Sequence, residues 1–496
     1  MIPQLYSSRW DNLKKGEPDP DAIAHLARQI ALSFMDACLY CDRYEHDCIR
    51  LLCEMATAFD ADSGLNAKAS SALFNIVVEG LCDEFEDMQA EIYDRVMCQI
   101  ISFCRNIPQG RDLDEKLTRF GFVSHESLLG RAAGMRKQFF IREDIKPPEK
   151  IIFLSRVTFG ADIAVTSVLM QRFAQAFPGA EPVLLGDAKL RGIFGGMKDL
   201  RIRELHYPRR GDLLARFSAW FSTLETIAEE TAGIGDRFLV IDPDSRLSQL
   251  GILPVADAGR YFFFNSRFNG SSPYRLAMSE LANEWANRIL PESGFCNPAV
   301  WIDETAKKTA AGLMNALRRT AGHVVTVNLG VGGNRRKRLD DDFELRLLSS
   351  LLSEPGTTVI LDCGADAEEK KRARELLGRL NKKGFEAAEA DLGKTPVTLS
   401  GPGIISILSS IGEIAAVISE SDEFIGYDSA CQHIAAAAGI PSCTVFAGSN
   451  NPRFVRRWHA RGQNVSRIIH VDNLSRDKMF DNADIIARIN AARNRA

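Results

Sequence analysis

The sequence predicts an all-α N-terminal domain followed by two α/β units of the doubly wound, Rossmann-like kind. Three observations carry this reading. Helix-period apolar patterning fills the first 146 residues with no alternating strand pattern of useful length, a proline-flanked break follows, and short apolar runs then alternate with helical stretches to the end. A chain of 496 residues has room for about three domains at the usual ~150 residues each.

The helical third opens clearly. In Asp19-Pro20-Asp21, Asp19 is placed as N-cap and Pro20 at the first helical position. Ile23, Leu26, Ile30, Phe34, Cys38, Cys41 and Cys48 then recur at spacings of three, four and seven, the stripe of an amphipathic helix. Similar patterning runs from Ala67 to Asp83 and from Met88 to Cys104, with Gly80 and Pro108-Gln109-Gly110 as punctuation. Seven cysteines, Cys38, Cys41, Cys48, Cys53, Cys82, Cys98 and Cys104, fall in this region. Cys38-x2-Cys41 with Cys48 and Cys53 has enough sulfur for a metal site. The turn-separated pairs of a structural zinc site are missing, however, and cysteine on an apolar face packs as a small hydrophobe. Core packing is the expected role, and no metal site is assigned.

Composition bounds the function. With 45% hydrophobic and 25% charged residues the chain can form a sizeable core, which excludes wholesale disorder. Lys and Arg number 61 against 65 Asp and Glu, a net charge of -4, which argues against a nucleic-acid partner. No run of ~18 apolar residues predicts a transmembrane segment. Met1-Ile2-Pro3-Gln4-Leu5 lacks the basic start and apolar stretch of a signal peptide, so reduced thiols in the cytoplasm are expected.

Ile145-Lys146-Pro147-Pro148-Glu149-Lys150 marks the boundary, because two prolines between charges stop a helix and stiffen a linker. The expected strands are Ile151–Leu154, Pro182–Leu185, Phe238–Ile241 and Tyr261–Asn265. A second series comprises His323–Leu329, Thr357–Asp362, Glu423–Tyr427, Pro441–Phe446 and Ile468–Val471. Helices are expected at Asp162–Phe177, Thr305–Thr320, Asp341–Leu352, Ala367–Leu380 and Ile404–Ser419. The domains are therefore drawn at 1–146, 150–320 and 321–496, and ligands are expected in a cleft at the carboxyl ends of the strands.

The two common phosphate motifs are absent. Gly330-Val331-Gly332-Gly333-Asn334-Arg335 has an Arg where the dinucleotide fingerprint needs Gly or Ala, and no P-loop occurs. A glycine-rich turn running into Arg335-Arg336-Lys337-Arg338 still suits a phosphate, the alternative being a solvated basic turn. A second constellation is stronger. A strand runs into Asp428-Ser429, a helix starts at Ala430, and Gly439-Ile440-Pro441 ends it. Free amides and the positive dipole end of that helix make an anion site, with His433 four residues after Ser429 on the same face.

This stretch resembles the donor motif of family 9 glycosyltransferases, the ADP-heptose lipopolysaccharide heptosyltransferases. The family pattern is Asp-Thr/Ser-Gly-x-x-His, an Ala-rich helix, Gly-x-Pro and a strand ending at Phe-Gly. Here stand Asp428-Ser429, His433, the alanine run, Gly439-Ile440-Pro441 and Val445-Phe446-Ala447-Gly448, with Ala430 in place of the motif glycine. Asn328-Leu329-Gly330 with the basic cluster, Leu361-Asp362-Cys363-Gly364-Ala365-Asp366-Ala367-Glu368-Glu369, and Phe159-Gly160-Ala161-Asp162 also resemble family segments. The likeness spans roughly residues 150–481 and leaves out the helical domain.

The resemblance implies a GT-B fold and inverting, metal-independent transfer of a sugar, heptose among the candidates, from a nucleotide-diphospho-sugar to a hydroxyl acceptor, with no cofactor. Asp162 is the candidate general base, its other role being to cap its helix. Asp428, Ser429, Ala430, His433 and Gly330, with a cation from Arg336, Lys337 or Arg338, are the candidate donor contacts. Asp244 and Arg246 are the candidate acceptor contacts, or else a turn and a surface pair. The acceptor is expected to be a glycan or a protein, and the helical domain a surface for acceptor capture or homo-oligomerisation. Two alternatives remain: a catalytically degenerate GT-B protein acting as a scaffold, and a GT-B sugar-nucleotide epimerase.

Overall fold

The computed structural model describes residues 2–60, 64–82, 84–135, 147–208, 211–267, 275–364, 367–394, 399–475 and 480–494. Ile145 and Lys146 of the expected linker, and Asp83, Ala365 and Asp366, lie outside the described residues. The chain falls into two compact units, Met1–Val157 with Gly179–Asp187 and Arg203–Tyr274, and Thr158–Pro178 with Ala188–Ile202 and Arg275–Ala496.

Every regular element among the described residues before Lys150 is helical. The helix Pro20–Cys41 starts as its sequence dictates, the Asp19 carboxylate accepting from the amides of Asp21 (2.9 Å) and Ala22 (3.2 Å). Its stripe of Ile23, Leu26, Ile30, Phe34 and Cys38 is buried. The stripe does not run on to Cys48 in one helix, because Asp42 adopts the left-handed conformation (φ 50°) and the chain restarts at His46–Met55. Cys41, at the turn, is exposed, while Cys38, Cys48, Cys53, Cys82, Cys98 and Cys104 are buried.

The first sheet has five strands: β1 Lys150–Leu154, β2 Glu181–Gly186, β3 Arg201–Glu204, β4 Phe238–Asp242 and β5 Tyr261–Phe263. Their order is β3-β2-β1-β4-β5, so the topology reverses between β1 and β4. β1 pairs in parallel with both neighbours, Ile152 opposite Val183 and Val240. Helical region and sheet share one continuous core in this unit, running from Trp10 through Phe34, Tyr93 and Leu128 to Ile152, Val240, Trp220 and Phe263. Arg131 ties the two by donating from Nε to the Gly251 and Ile252 carbonyls (both 3.1 Å) with its guanidinium 5.1 Å over the Tyr261 ring.

The second sheet has seven parallel strands: β6 His323–Asn328, β7 Thr357–Asp362, β8 Ala387–Asp391, β9 Ile404–Leu408, β10 Glu423–Tyr427, β11 Ser442–Phe446 and β12 Ser466–His470. Their order, β12-β11-β10-β6-β7-β9-β8, places the reversal between β6 and β10. A core of Val325, Val327, Phe343, Leu348, Val359, Leu361, Ile425 and Val445 fills this unit.

The expected helix Ile404–Ser419 is corrected. Ile404–Leu408 is a strand, and the helix begins only at Ile411, where Ser410 and Glu413 form a capping box. A β-branched run buried between β7 and β8 is better placed in a sheet than in a helix. The edge strands β3 and β8 carry no alternating apolar signal and were not expected. No helix among the described residues is long and apolar enough to cross a membrane.

Candidate active site

The reversal point of the second sheet brings two strand ends side by side, Asn328 at the end of β6 and Tyr427 at the end of β10, and both run into glycine- or serine-bearing turns. Asn328 organises the first end. Its Nδ2 donates to the Asp362 carboxylate at the end of β7 (2.7 Å), and its Oδ1 accepts from the Ser429 hydroxyl (3.3 Å). Burial pushes the Asp362 carboxyl above its ordinary range. Ser429 has the extended backbone of an N-cap (φ -149°, ψ 179°), yet its side chain does not cap the helix Ala430–Ala437. The hydroxyl is turned to Asn328, so the first helical amides receive no side-chain cap from it.

Asp428 is 6% exposed and doubly engaged. One carboxylate oxygen accepts from Lys337 Nζ at 2.6 Å, the other from Gln432 Nε2 at 2.7 Å. Lys337 is thus the member of the basic cluster that reaches the motif. Two of its neighbours, Arg335 and Arg338, are paired elsewhere. Arg335 pairs with Glu368, and Arg338 with Asp341 and the fully buried Glu344, which also receives Arg372 and the Tyr427 hydroxyl (3.2 Å). Arg336 contributes its backbone carbonyl to Asn473 Nδ2 (2.6 Å). The turn Arg335–Lys337 is shaped by Asn334, whose Oδ1 accepts from the Arg336 amide (3.2 Å). It also rests on Gly448, where a Cβ would stand 2.7 Å from the Arg336 carbonyl carbon.

His433 is 5% exposed, and burial, helped by Lys337 and His459, pushes its pKa down to about 3, so the imidazole is neutral. Its ring meets Trp458 edge to face at 6.1 Å. The same helix receives the segment that carries Asp162. A Cβ at Gly160 would lie 3.0 Å from His433 Cδ2 and 3.3 Å from Ala430 Cα, so the residue there must be glycine for the two helices to approach. Asp162 follows in the first turns of one helix over residues 159–176, wound as π-helix from Asp162 to Thr166. It is 1% exposed and accepts from the Thr166 hydroxyl at 2.8 Å. Its N-cap role is not seen, since Thr158 precedes the helix and Asp162 lies within it.

Asp244 and Arg246 belong to the first unit. Asp244 is 3% exposed at φ 68°, its carboxylate accepting from Ser266 (2.5 Å) with Arg267 at 3.5 Å and Arg156 at 3.9 Å, so it is no surface turn residue. Arg246 pairs with Glu79 of the helical region at 3.0 Å.

Residues 340–483 match the model of glycosyltransferase family 9 (heptosyltransferase). That match takes in the Asp428-Ser429 turn, His433 and Gly448. No curated protein matches the chain in sequence. Among solved structures, the family 9 glycosyl transferase from Veillonella parvula DSM 2008 superposes on 70% of this chain and 98% of its own, at 12% identity and a TM-score of 0.51. E. coli ADP-heptose lipopolysaccharide heptosyltransferase II covers 70% of this chain and 100% of its own at 14% identity and a TM-score of 0.47. E. coli heptosyltransferase WaaC, solved with ADP, covers 69% and 99% at 15% and 0.47. The expected fold class holds: GT-B α/β sheets preceded by an all-helical region.

Within the second unit the structure brings together Asp428, Ser429, Ala430, His433 and Lys337, while Gly330 lies against Asn328 and Glu369, where a Cβ would be 3.1 Å from Glu369 Oε1. Sequence reasoning passed over Asn328, Asp362 and Gln432 as site residues. Polar residues closing two strands that lie beside each other would have signalled the first two. Gln432, four residues after Asp428, would have followed from helical spacing. Among the described residues no group of three or more His, Cys, Asp or Glu is arranged to hold a metal ion.

Proposed function

We propose that the protein transfers a sugar from a nucleotide-diphospho-sugar to a hydroxyl acceptor with inversion at the anomeric carbon, and that Asp162 is the general base. The observation that carries this reading is the seat of Gly160 on Ala430 and His433, which sets the start of the Asp162 helix against the start of the donor-motif helix. In this mechanism the Asp162 carboxylate takes the acceptor proton as the oxygen attacks. The bond from the anomeric carbon to the phosphate oxygen then breaks, and the leaving diphosphate gains charge. The amides opening Ala430–Ala437 and the Lys337 ammonium meet that charge, a task that needs no metal. His433, neutral at ordinary pH, offers a hydrogen bond without adding charge. A heptose on ADP is the first donor to test, because two of the structurally similar enzymes are named for heptose transfer and one was solved with ADP. The acceptor is a glycan or a protein.

The test compares ADP-, UDP-, GDP- and dTDP-sugars by thermal shift and then by transfer assay. A donor at a hundred times its Kd should stabilise the chain by about 2.7 kcal/mol. Asp162→Asn should cut transfer by roughly 10²–10⁴-fold while the ADP-induced shift persists. Full transfer by Asp162→Asn would remove the base assignment, and a chain that no nucleotide stabilises would remove the donor assignment.

A further inference from the structure

We infer that the first unit holds an anion-binding site of its own, built where the helical region meets the carboxyl ends of β1, β4 and β5, and that it takes a phosphate- or carboxylate-bearing group. The topology reverses between β1 and β4, which in an open parallel sheet is the place where a ligand crevice forms. Each neighbouring strand delivers an arginine there: Arg156 just beyond β1, Arg246 beyond β4 and Arg267 beyond β5. Arg216, at the head of the helix Ser218–Thr231, is a fourth.

The helical region supplies the opposite wall. The Arg267 guanidinium lies 4.6 Å over the Tyr93 ring, that of Arg216 4.4 Å over Phe74, and Arg246 reaches Glu79. Arg246 and Arg267 both lie close enough to Tyr93 to act on it electrostatically. Asp244 and Arg246, read from the sequence as acceptor contacts, are members of the cluster.

Several buried donors in it have no partner. Arg267 is 5% exposed, yet its Nε and Nη1 have no hydrogen-bond partner; Arg216 Nε and the fully buried Tyr93 hydroxyl have none either. On the acceptor side one oxygen of Asp244 is without a hydrogen bond, and it already faces Arg267 Nη2 at 3.5 Å. Arg156 donates to the Pro243 carbonyl (2.6 Å) and the Ser266 hydroxyl (3.2 Å), while Arg246 and Arg267 face Glu79, Asp244 and the electrostatic influence of Asp94. Buried donors left unpaired cost about 1–3 kcal/mol each, more where the donor is charged. A group that brings several acceptor oxygens and negative charge is what such a cluster complements. The inference stands apart from the sugar-transfer reading, because it concerns a different unit and a ligand other than the nucleotide.

The test is a titration of the full chain with inorganic phosphate, following the thermal midpoint against sodium chloride at equal ionic strength. Wild type and Lys337→Met, in which the donor motif is disabled, should both respond to phosphate beyond chloride. Arg267→Met should weaken the apparent phosphate affinity about tenfold or more, and Tyr93→Phe severalfold. Tyr93→Phe removes only an unpaired hydroxyl and keeps the ring, so it remains informative if Arg267→Met folds poorly. A wild type that responds to phosphate no more than to chloride would overturn the inference. So would variants that respond as wild type does. Loss of the response in Lys337→Met but not in Arg267→Met would assign phosphate to the donor motif and overturn it equally.

Discussion

Lys337 and Asp428 form the ion pair at the centre of the proposed donor site. Asp428 is nearly buried, so Lys337→Met leaves it with Gln432 as its one remaining side-chain hydrogen bond of the pair described. Partial exposure of the lysine tempers the loss, and a cost of about 1–3 kcal/mol is expected. Urea unfolding should show it, and isothermal titration should show weakened ADP binding in the same variant. His433 gives a pH signature. Its folded pKa lies below the unfolded value of 6.5, so as pH falls from about 6.5 towards about 3 the unfolded chain takes up a proton that the folded chain refuses. Stability therefore declines across that window. Unfolding measured at pH 7.5 and 4.5 should show a shallower decline for His433→Gln than for wild type. At this scale the sequence was most informative where chemistry is local: Asp428, Ser429 and His433 all stand at the opening of one helix. It was silent on which of Arg336, Lys337 and Arg338 reaches them. That choice depends on Glu344 drawing Arg338 away and Glu368 drawing Arg335 away, and Glu368 lies on a helix beyond the next strand.

Among elements, the turn at Arg335–Lys337 is held from outside by the loop after β11. Gly448 has φ 81°, and a Cβ there would press on the Arg336 carbonyl carbon at 2.7 Å. Gly448→Ala should thus cost about 2 kcal/mol or more, from backbone strain and from the shift it forces. Because the turn carries Lys337, ADP affinity should fall with it. Thermal melting and ADP titration of the same sample check both, and an alanine variant with unchanged affinity would detach Gly448 from the site. Strands in the interior of both sheets were readable as apolar runs because each is buried on two faces. Ile404–Leu408 was misread because an apolar run too short to show its period continues directly into a genuine helix. The edge strands Arg201–Glu204 and Ala387–Asp391 escaped for the opposite reason: sheet pairing, rather than side-chain pattern, makes them strands.

For the whole molecule, the alternation of strands and helices announced two parallel sheets, and helical spacing announced the N-terminal third. What no local pattern could reveal is that the helical region and the first sheet share one core, since Arg131 meets Tyr261, Gly251 and Ile252 across more than a hundred residues. Removal of residues 1–146 should therefore leave a chain that aggregates or melts without a cooperative transition. A soluble 147–496 fragment with a sharp thermal midpoint would contradict this. The same joint core governs the order of synthesis. A ribosome working at about 5–20 residues per second needs roughly 6–25 s to travel from Met135 to Phe263. Through that interval the finished helices have no sheet to cover their apolar side. The nascent chain is accordingly a client for factors that shield hydrophobic surface at the exit tunnel, and slowed translation ahead of β5 should lower its yield more than slowing after it.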